Sequence, residues 1–181
     1  DWGTIAANPK PVVGYSDLTC VLNAIVARTG RTAVLWNAMA GLHRGFGVLD
    51  AALAGETIRP ALAGADGDAD AFEALPWLGG NLRCFLKLAG TRYWPDLAGG
   101  VLLVESLGAS LKALAAGLAH HAHLGTFGKV AGIAVGQLTA VDEAGQREAA
   151  LALVGEYAGR IPVIEAPGLG HSADSQAATL G

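Results

Sequence analysis

The chain has 181 residues, of which 52% are hydrophobic and only 15% charged, with 12 Lys and Arg against 16 Asp and Glu for a formal net charge of −4. This balance excludes an intrinsically disordered chain and leaves no basic footprint for nucleic acid or an anionic membrane surface. It also contains no unbroken apolar run of the roughly 18 residues that a spanning helix needs.

The opening Asp1-Trp2-Gly3 lacks the basic and apolar regions of a signal peptide. Because it also lacks Met, the chain is expected to be processed or a fragment. Pro11 to Tyr15 is a short apolar run that predicts a strand. From Asp17 to Thr29, Leu18, Val21, Leu22, Ile25 and Val26 recur at helical spacing, with Ser16 or Asp17 as the cap and Gly30 as the stop. Ala33 to Trp36 predicts the next strand. Between Asn37 and Trp77 the pattern weakens. Short strands are expected near Thr57–Leu62 and Phe72–Leu78, and a loop over Gly64–Asp70. Gly79-Gly80-Asn81 is expected to open a helix reaching about Leu88, followed by a loop from Gly90 to Ala98. Val101–Val104 is a continuous apolar run, the mark of a strand buried on both faces. A helix over Leu111–Leu124, a strand over Val130–Val135, a helix over Glu143–Tyr157 and a strand over Ile161–Ile164 complete the pattern. Alternating strands and helices imply an α/β fold with a mostly parallel sheet and flanking helices.

In open α/β sheets, ligands sit beyond the carboxyl ends of the strands. The polar residues that follow the predicted strands there are Ser16, Glu105 and, after a Gly/Pro-rich loop, His171. A serine hydroxyl is a poor nucleophile until a base accepts its proton. Histidine does this near neutral pH, and a carboxylate fixes the histidine tautomer and stabilises its cation. A turn at Gly14-Tyr15-Ser16-Asp17 between strand and helix would present Ser16 at a helix N-terminus, with the Asp17 amide aimed at a developing oxyanion. It departs from G-x-S-x-G, because Leu18 stands at the second Gly. The plainer alternatives are an N-cap at Ser16 or Asp17, a salt-bridged carboxylate at Glu105 and an ordinary loop residue at His171.

Other signals carry less. His120, His121 and His123 have no acid or Cys at ligand spacing, so a helix end is expected rather than a metal site. Asp66 to Asp70 imitates the start of a calcium loop, but Ala71 and Trp77 stand at its sixth and twelfth positions. Gly45-Phe46-Gly47 lacks the third Gly of a dinucleotide motif. Cys20 and Cys84 form neither a disulfide framework nor a CxxC pair, which is compatible with a reducing compartment. Trp36 and Trp94 are candidates for lining a substrate cleft. Arg83, Arg92 and Lys87 are alternatives for holding a substrate carboxylate.

Four segments together resemble the S66 serine peptidases, the LD-carboxypeptidases and the related microcin C immunity peptidases. They are Val12–Thr19 (VVGYSDLT), Gly79–Leu82 (GGNL) with Ala89-Gly90-Thr91, Gly100–Glu105 (GVLLVE), and Gly170-His171 after Ile161-Pro162-Val163. The resemblance implies a two-lobed architecture whose N-terminal lobe is incomplete here. Residues 1–36 would end that lobe and carry the nucleophile turn, 37–78 would link the lobes, and 79–181 would form the C-terminal α/β domain with Glu105 and His171. It implies a triad of Ser16, Glu105 and His171, one oxyanion donor from the Asp17 amide, and no metal or organic cofactor. The implied activity is hydrolysis of the amide to a C-terminal D-alanine of murein tetrapeptides, in peptidoglycan recycling in the bacterial cytoplasm, by a homodimer. Neither nucleic acid nor membrane is an expected partner, whereas the absent N-terminal segment is. The alternatives are a microcin-immunity-type hydrolase of a toxic aminoacyl-nucleotide analogue, or a catalytically silent fragment. Trp36-Asn37-Ala38-Met39 and Ser106 depart from the family's usual residues.

Overall fold

The computed structural model describes residues 1–63 and 69–181. The chain runs α1 (Trp2–Ala7), β1 (Val13–Gly14), a 3-10 turn (Ser16–Leu18), α2 (Thr19–Thr29), β2 (Ala33–Leu35), α3 (Ala38–Gly41) and α4 (Gly47–Ala54). It continues with α5 (Ala69–Ala74), β3 (Trp77–Asn81), α6 (Leu82–Leu86), β4 (Val101–Ser106), α7 (Leu111–His123) and β5 (Gly132–Leu138). Last come α8 (Thr139–Glu143), α9 (Arg147–Ala158), β6 (Val163–Glu165) and β7 (Ala178–Leu180). The larger sheet has the order β3-β4-β5-β6 and is parallel throughout. The smaller has the order β1-β2-β7, with β1 parallel and β7 antiparallel to β2.

Strand alternation explains how the two sheets meet. On one face of the larger sheet, Leu102, Val104, Ile133 and Val135 pack against Leu114 and Leu118 of α7 and Val154 of α9. On the other, Trp77, Val101, Leu103 and Ile164 join Leu22 of α2, Leu35 of β2 and Leu180 of β7 in a second core. A parallel sheet covered on both faces requires the apolar runs read in the sequence.

The tertiary context moves several expected elements. Phe72 lies in α5 rather than in a strand, and the Trp77 indole donates to its carbonyl at 2.8 Å. No strand forms over Thr57–Leu62, and Ala63 makes only an isolated bridge to Glu165. Gly79-Gly80-Asn81 finishes β3 instead of opening a helix, and Asn81 then caps α6 by accepting from the Cys84 amide at 3.3 Å. The helix expected over Glu143–Tyr157 is broken at Gly145, whose φ of +67° is left-handed. The Asp66–Asp68 part of the calcium-like segment lies outside the described residues. The last strand returns to the smaller sheet, so residues 178–180 of the expected C-terminal domain pair antiparallel with β2; Gly181 also donates to Trp77 O at 3.0 Å.

A buried clamp joins the halves. Asn23 of α2 is fully buried; its amide donates to Gly79 O and Thr19 O, both at 2.8 Å, and accepts from Gly79 N at 3.0 Å. Thr19 Oγ1 accepts from Asn81 N at 3.1 Å. Gly79 has φ +109°, and a Cβ there would strike the Leu103 carbonyl of β4. Asn23→Ala leaves the Gly79 amide and carbonyl buried and unpaired, which costs about 2–4 kcal/mol. Urea denaturation of the variant is expected to show that loss; an unchanged midpoint would rule out the clamp.

Candidate active site

β1 ends at Gly14, Tyr15 is extended, and Ser16 turns into the 3-10 helix with φ +55°. Ser16 is the one non-glycine residue with positive φ among the described residues. Such a conformation costs on the order of 1–3 kcal/mol and persists only where surrounding packing imposes it. Here Leu18 N bonds to Tyr15 O at 3.0 Å, and Leu18 folds back over Gly14, where a Cβ would lie 2.7 Å from its Cδ1. The first amides of a helical turn have no partner within the turn, so the Asp17 N–H, next in the chain after Ser16, is uncommitted to the helix.

Glu105, 2% exposed, lies near the end of β4, in register with Asn81 of β3. Its Oε2 is 2.9 Å from Nδ1 of His171, in the loop after β6. With Nδ1–H donated to the carboxylate, Nε2 is left as the acceptor. Nε2 is buried and has no hydrogen-bond partner among the described residues, so it is not bonded to Ser16 in this state. The two residues share a narrow recess with Tyr15, Trp36, Glu105 and Gly170. The hydrogen bond to Glu105 and, secondarily, its charge raise the His171 pKa above the ordinary imidazole value, against the opposing effect of burial.

Gln137, at the carboxyl end of β5, was not singled out in the sequence. Its side chain pins the histidine loop, accepting from Ser172 N at 3.0 Å and donating to Ser172 Oγ at 2.7 Å and Pro167 O at 3.1 Å. The same strand-end rule that selects Glu105 finds Gln137 once β5 is extended to Leu138. Gly136 beside it is equally constrained, because a Cβ there would lie 2.7 Å from Leu169 O and 3.0 Å from the Glu105 Cβ.

A second, larger cleft of about 750 Å³ opens from Ser16 between α6 and α7. On its wall the Cys84 thiol donates to Asp17 Oδ1 at 3.0 Å, and Lys87 Nζ lies 3.9 Å from the same oxygen. The Cys84 hydrogen bond, then the Lys87 charge, hold the Asp17 carboxyl below the usual range. Burial, then the bond to Asp17, push the Cys84 thiol up to about 11, and burial also raises Cys20. Both cysteines are therefore neutral thiols near pH 7 and poor nucleophiles.

The remaining candidates separate. Trp36 is 3% exposed, lines the recess and donates its indole N–H to Ser175 O at 3.3 Å. Trp94, expected as a cleft-lining residue, stacks on Phe85 at 4.6 Å, packs against the C-terminal core and lines neither of these two cavities. Arg92 lies over the Tyr93 ring instead of the cleft. His120 reaches the cleft, but His121 is buried against Thr126 Oγ1 at 3.1 Å, and burial lowers its pKa to about 4. Among the described residues, no three His, Cys, Asp or Glu side chains gather to hold a metal, and no helix is long and apolar enough to cross a membrane.

The raised His171 pKa makes a prediction with a definite sign. A raised folded-state value means that the pair's contribution to stability is full below the ordinary imidazole pKa and is lost as pH rises through the folded one. An NMR titration of the His171 ring is expected to give a midpoint above the ordinary value. In Glu105→Gln the midpoint should fall, because burial then acts without the charge. Equal midpoints in the two proteins would contradict the assigned cause.

Comparison with known proteins gives these features a context. The LD-carboxypeptidase C-terminal domain profile matches residues 76–181, and the LD-carboxypeptidase N-terminal domain profile matches residues 1–35. A search of curated proteins returned no match. A muramoyltetrapeptide carboxypeptidase from Oxalobacter formigenes superposes with a TM-score of 0.75 at 22% identity, covering 100% of this chain and 66% of that one. The wild-type microcin C7 self immunity protein MccF, in its apo state, superposes at 0.72 with 18% identity over 100% and 65%. A MccF-like protein from Bacillus anthracis str. Ames superposes at 0.71 with 21% identity over 99% and 70%. At these identities the structures establish the fold, and the chain spans 65–66% of the length of the first two. With over half of its residues matched by the C-terminal domain profile, the chain belongs to the S66 LD-carboxypeptidase family.

Proposed function

We propose that the chain carries the reactive centre of a serine-type LD-carboxypeptidase that hydrolyses the amide to the C-terminal D-alanine of murein tetrapeptides, in peptidoglycan recycling. The observation that carries this reading is the His171–Glu105 pair at 2.9 Å, with a buried, unpartnered Nε2 in the recess it shares with Ser16. In this mechanism Nε2 takes the Ser16 proton as Oγ attacks the carbonyl of the scissile amide. Glu105 holds the imidazole tautomer and stabilises the cation. The Asp17 amide donates to the oxyanion. His171 then protonates the departing D-alanine amine, leaving Ser16 esterified. A water molecule, deprotonated by His171, releases the tetrapeptide-derived acid and restores the serine. Hydrogen bonds of this kind often tighten only when substrate arrives, which suits an Nε2 left open here. We further propose a bacterial cytoplasmic location and a homodimer, in line with the family reading.

A second substrate has one observation in its favour. The 750 Å³ cleft beside Ser16 is much larger than a D-alanine requires. A microcin-immunity-type hydrolase would use the same three residues on the amide of an aminoacyl-nucleotide analogue.

Ser16→Ala is expected to abolish D-alanine release from a murein tetrapeptide while leaving the circular dichroism spectrum unchanged. Glu105→Gln should lower turnover by about 10²–10⁴. Retained release in Ser16→Ala would overturn the assignment. Turnover of an aminoacyl sulfamoyl adenosine without tetrapeptide cleavage would move it to the second substrate.

A further inference from the structure

The large cleft has two unlike walls. On α7, Ala113, Ala116 and Gly117 present small side chains, with His120 one turn further on. Facing them, α6 and its C-cap present Arg83 and Lys87, four residues apart and both exposed. Gly117 is small for a packing reason: a Cβ there would lie 2.6 Å from Leu82 Cδ2. Ala113 and Ala116 are exposed and support no such contact, so their small size leaves the cleft open.

The two cations differ in commitment. Lys87 Nζ is 3.9 Å from Asp17 Oδ1 and 4.0 Å from Cys84 Sγ. Arg83 has no ion pair, hydrogen bond or ring contact among the described residues. Other arginines are spent internally. Arg147 is bound to Glu165 at 2.7 Å, Arg59 donates to the Thr179 and Leu75 carbonyls at 2.8 and 2.9 Å, and Arg31 donates to Ala6 O at 2.7 Å. A guanidinium offers a planar fork of donors matched to a carboxylate or phosphate. The one in this cleft has no such bond, acts on Asp17 only weakly through its charge, and shares the cavity with Ser16.

We propose that Arg83 is a specificity-determining residue that binds an anionic group of the substrate in the cleft between α6 and α7, with Lys87 adding charge and Ala113 and Ala116 leaving room for bulk. The proposal rests on the reading of Ser16 as the nucleophile and names the substrate class for that centre: an acyl compound carrying a carboxylate or phosphate away from the scissile amide. Asp17 offsets only part of this field: its carboxylate lies nearest Lys87 and feels the Arg83 charge more weakly, so two cations stand against one carboxylate on this side of the cleft.

The test is calorimetric and needs no turnover, so failure of the hydrolytic mechanism and failure of this subsite are distinguishable. In the Ser16→Ala protein, a murein tetrapeptide is titrated beside its counterpart with every carboxylate converted to carboxamide. The carboxylate form is expected to bind about tenfold tighter, the size of one charge-assisted hydrogen bond. Adding Arg83→Gln should remove that preference and leave carboxamide binding unchanged, which a purely structural role would not do. Adding Ala116→Phe should weaken both forms by narrowing the cleft. The proposal is overturned if the preference survives Arg83→Gln, if Ala116→Phe changes neither affinity, or if the carboxylate peptide does not bind.

Discussion

The architecture depends on one buried side chain, the Asn23 carboxamide, which bridges α2 to the backbone of β3 at both the amide and the carbonyl of Gly79. α2 begins immediately after the turn that carries Ser16, and β3 is in register with β4 so that Asn81 lies opposite Glu105. The clamp therefore sets the distance between the serine and the carboxylate through rigid elements. It also accounts for the Gly-Gly pair. Gly79 must approach Leu103 of β4, and Gly80 has a left-handed φ of +128°, where a Cβ would lie 2.9 Å from Thr19 Oγ1. A side chain at Gly79 would push β3 away from β4, and one at Gly80 would push it away from α2 and β2.

Around that frame, each candidate side chain is held by a different device. Ser16 is held by backbone conformation, in a left-handed turn that Gly14 and Leu18 close. Glu105 is held by burial at the end of a strand covered on both faces. His171 sits on a loop with no regular structure of its own, and Gln137 supplies the bonds that a strand would otherwise provide. Burial and hydrogen bonding push the His171 imidazole in opposite directions, and the bond to Glu105 dominates.

The cleft beside the serine follows a different electrostatic logic. Cys84 and Lys87 both turn toward Asp17, so the acid that follows Ser16 is held as a carboxylate beside a cation and the thiol is kept protonated. This leaves a net cationic rim beside a hydroxyl and a pocket whose far wall is built from small residues. The anion subsite proposed for this cleft uses that asymmetry, which the narrow recess at His171 lacks.

The sequence by itself determined the α/β class, the strands over Val101–Val104 and Ala33–Leu35, and the first long helix, because apolar periodicity reports burial directly. It also marked Ser16, Glu105 and His171 as polar residues following strands, since that edge of a parallel sheet collects ligands. It could not decide what depends on contacts between distant segments. Phe72 reads as strand but is helical, Gly79–Asn81 reads as a helix start but completes β3, and the last three strand residues cross back to pair with β2. Trp94 and Trp36 look alike as candidates in the sequence, yet one stacks on Phe85 and the other lines the recess. Likewise Arg83 and Arg92 are equivalent in composition, and only the fold leaves one in the cleft and the other against a tyrosine. Local patterning encodes which residues are buried, but the tertiary structure alone decides which neighbours they are buried against.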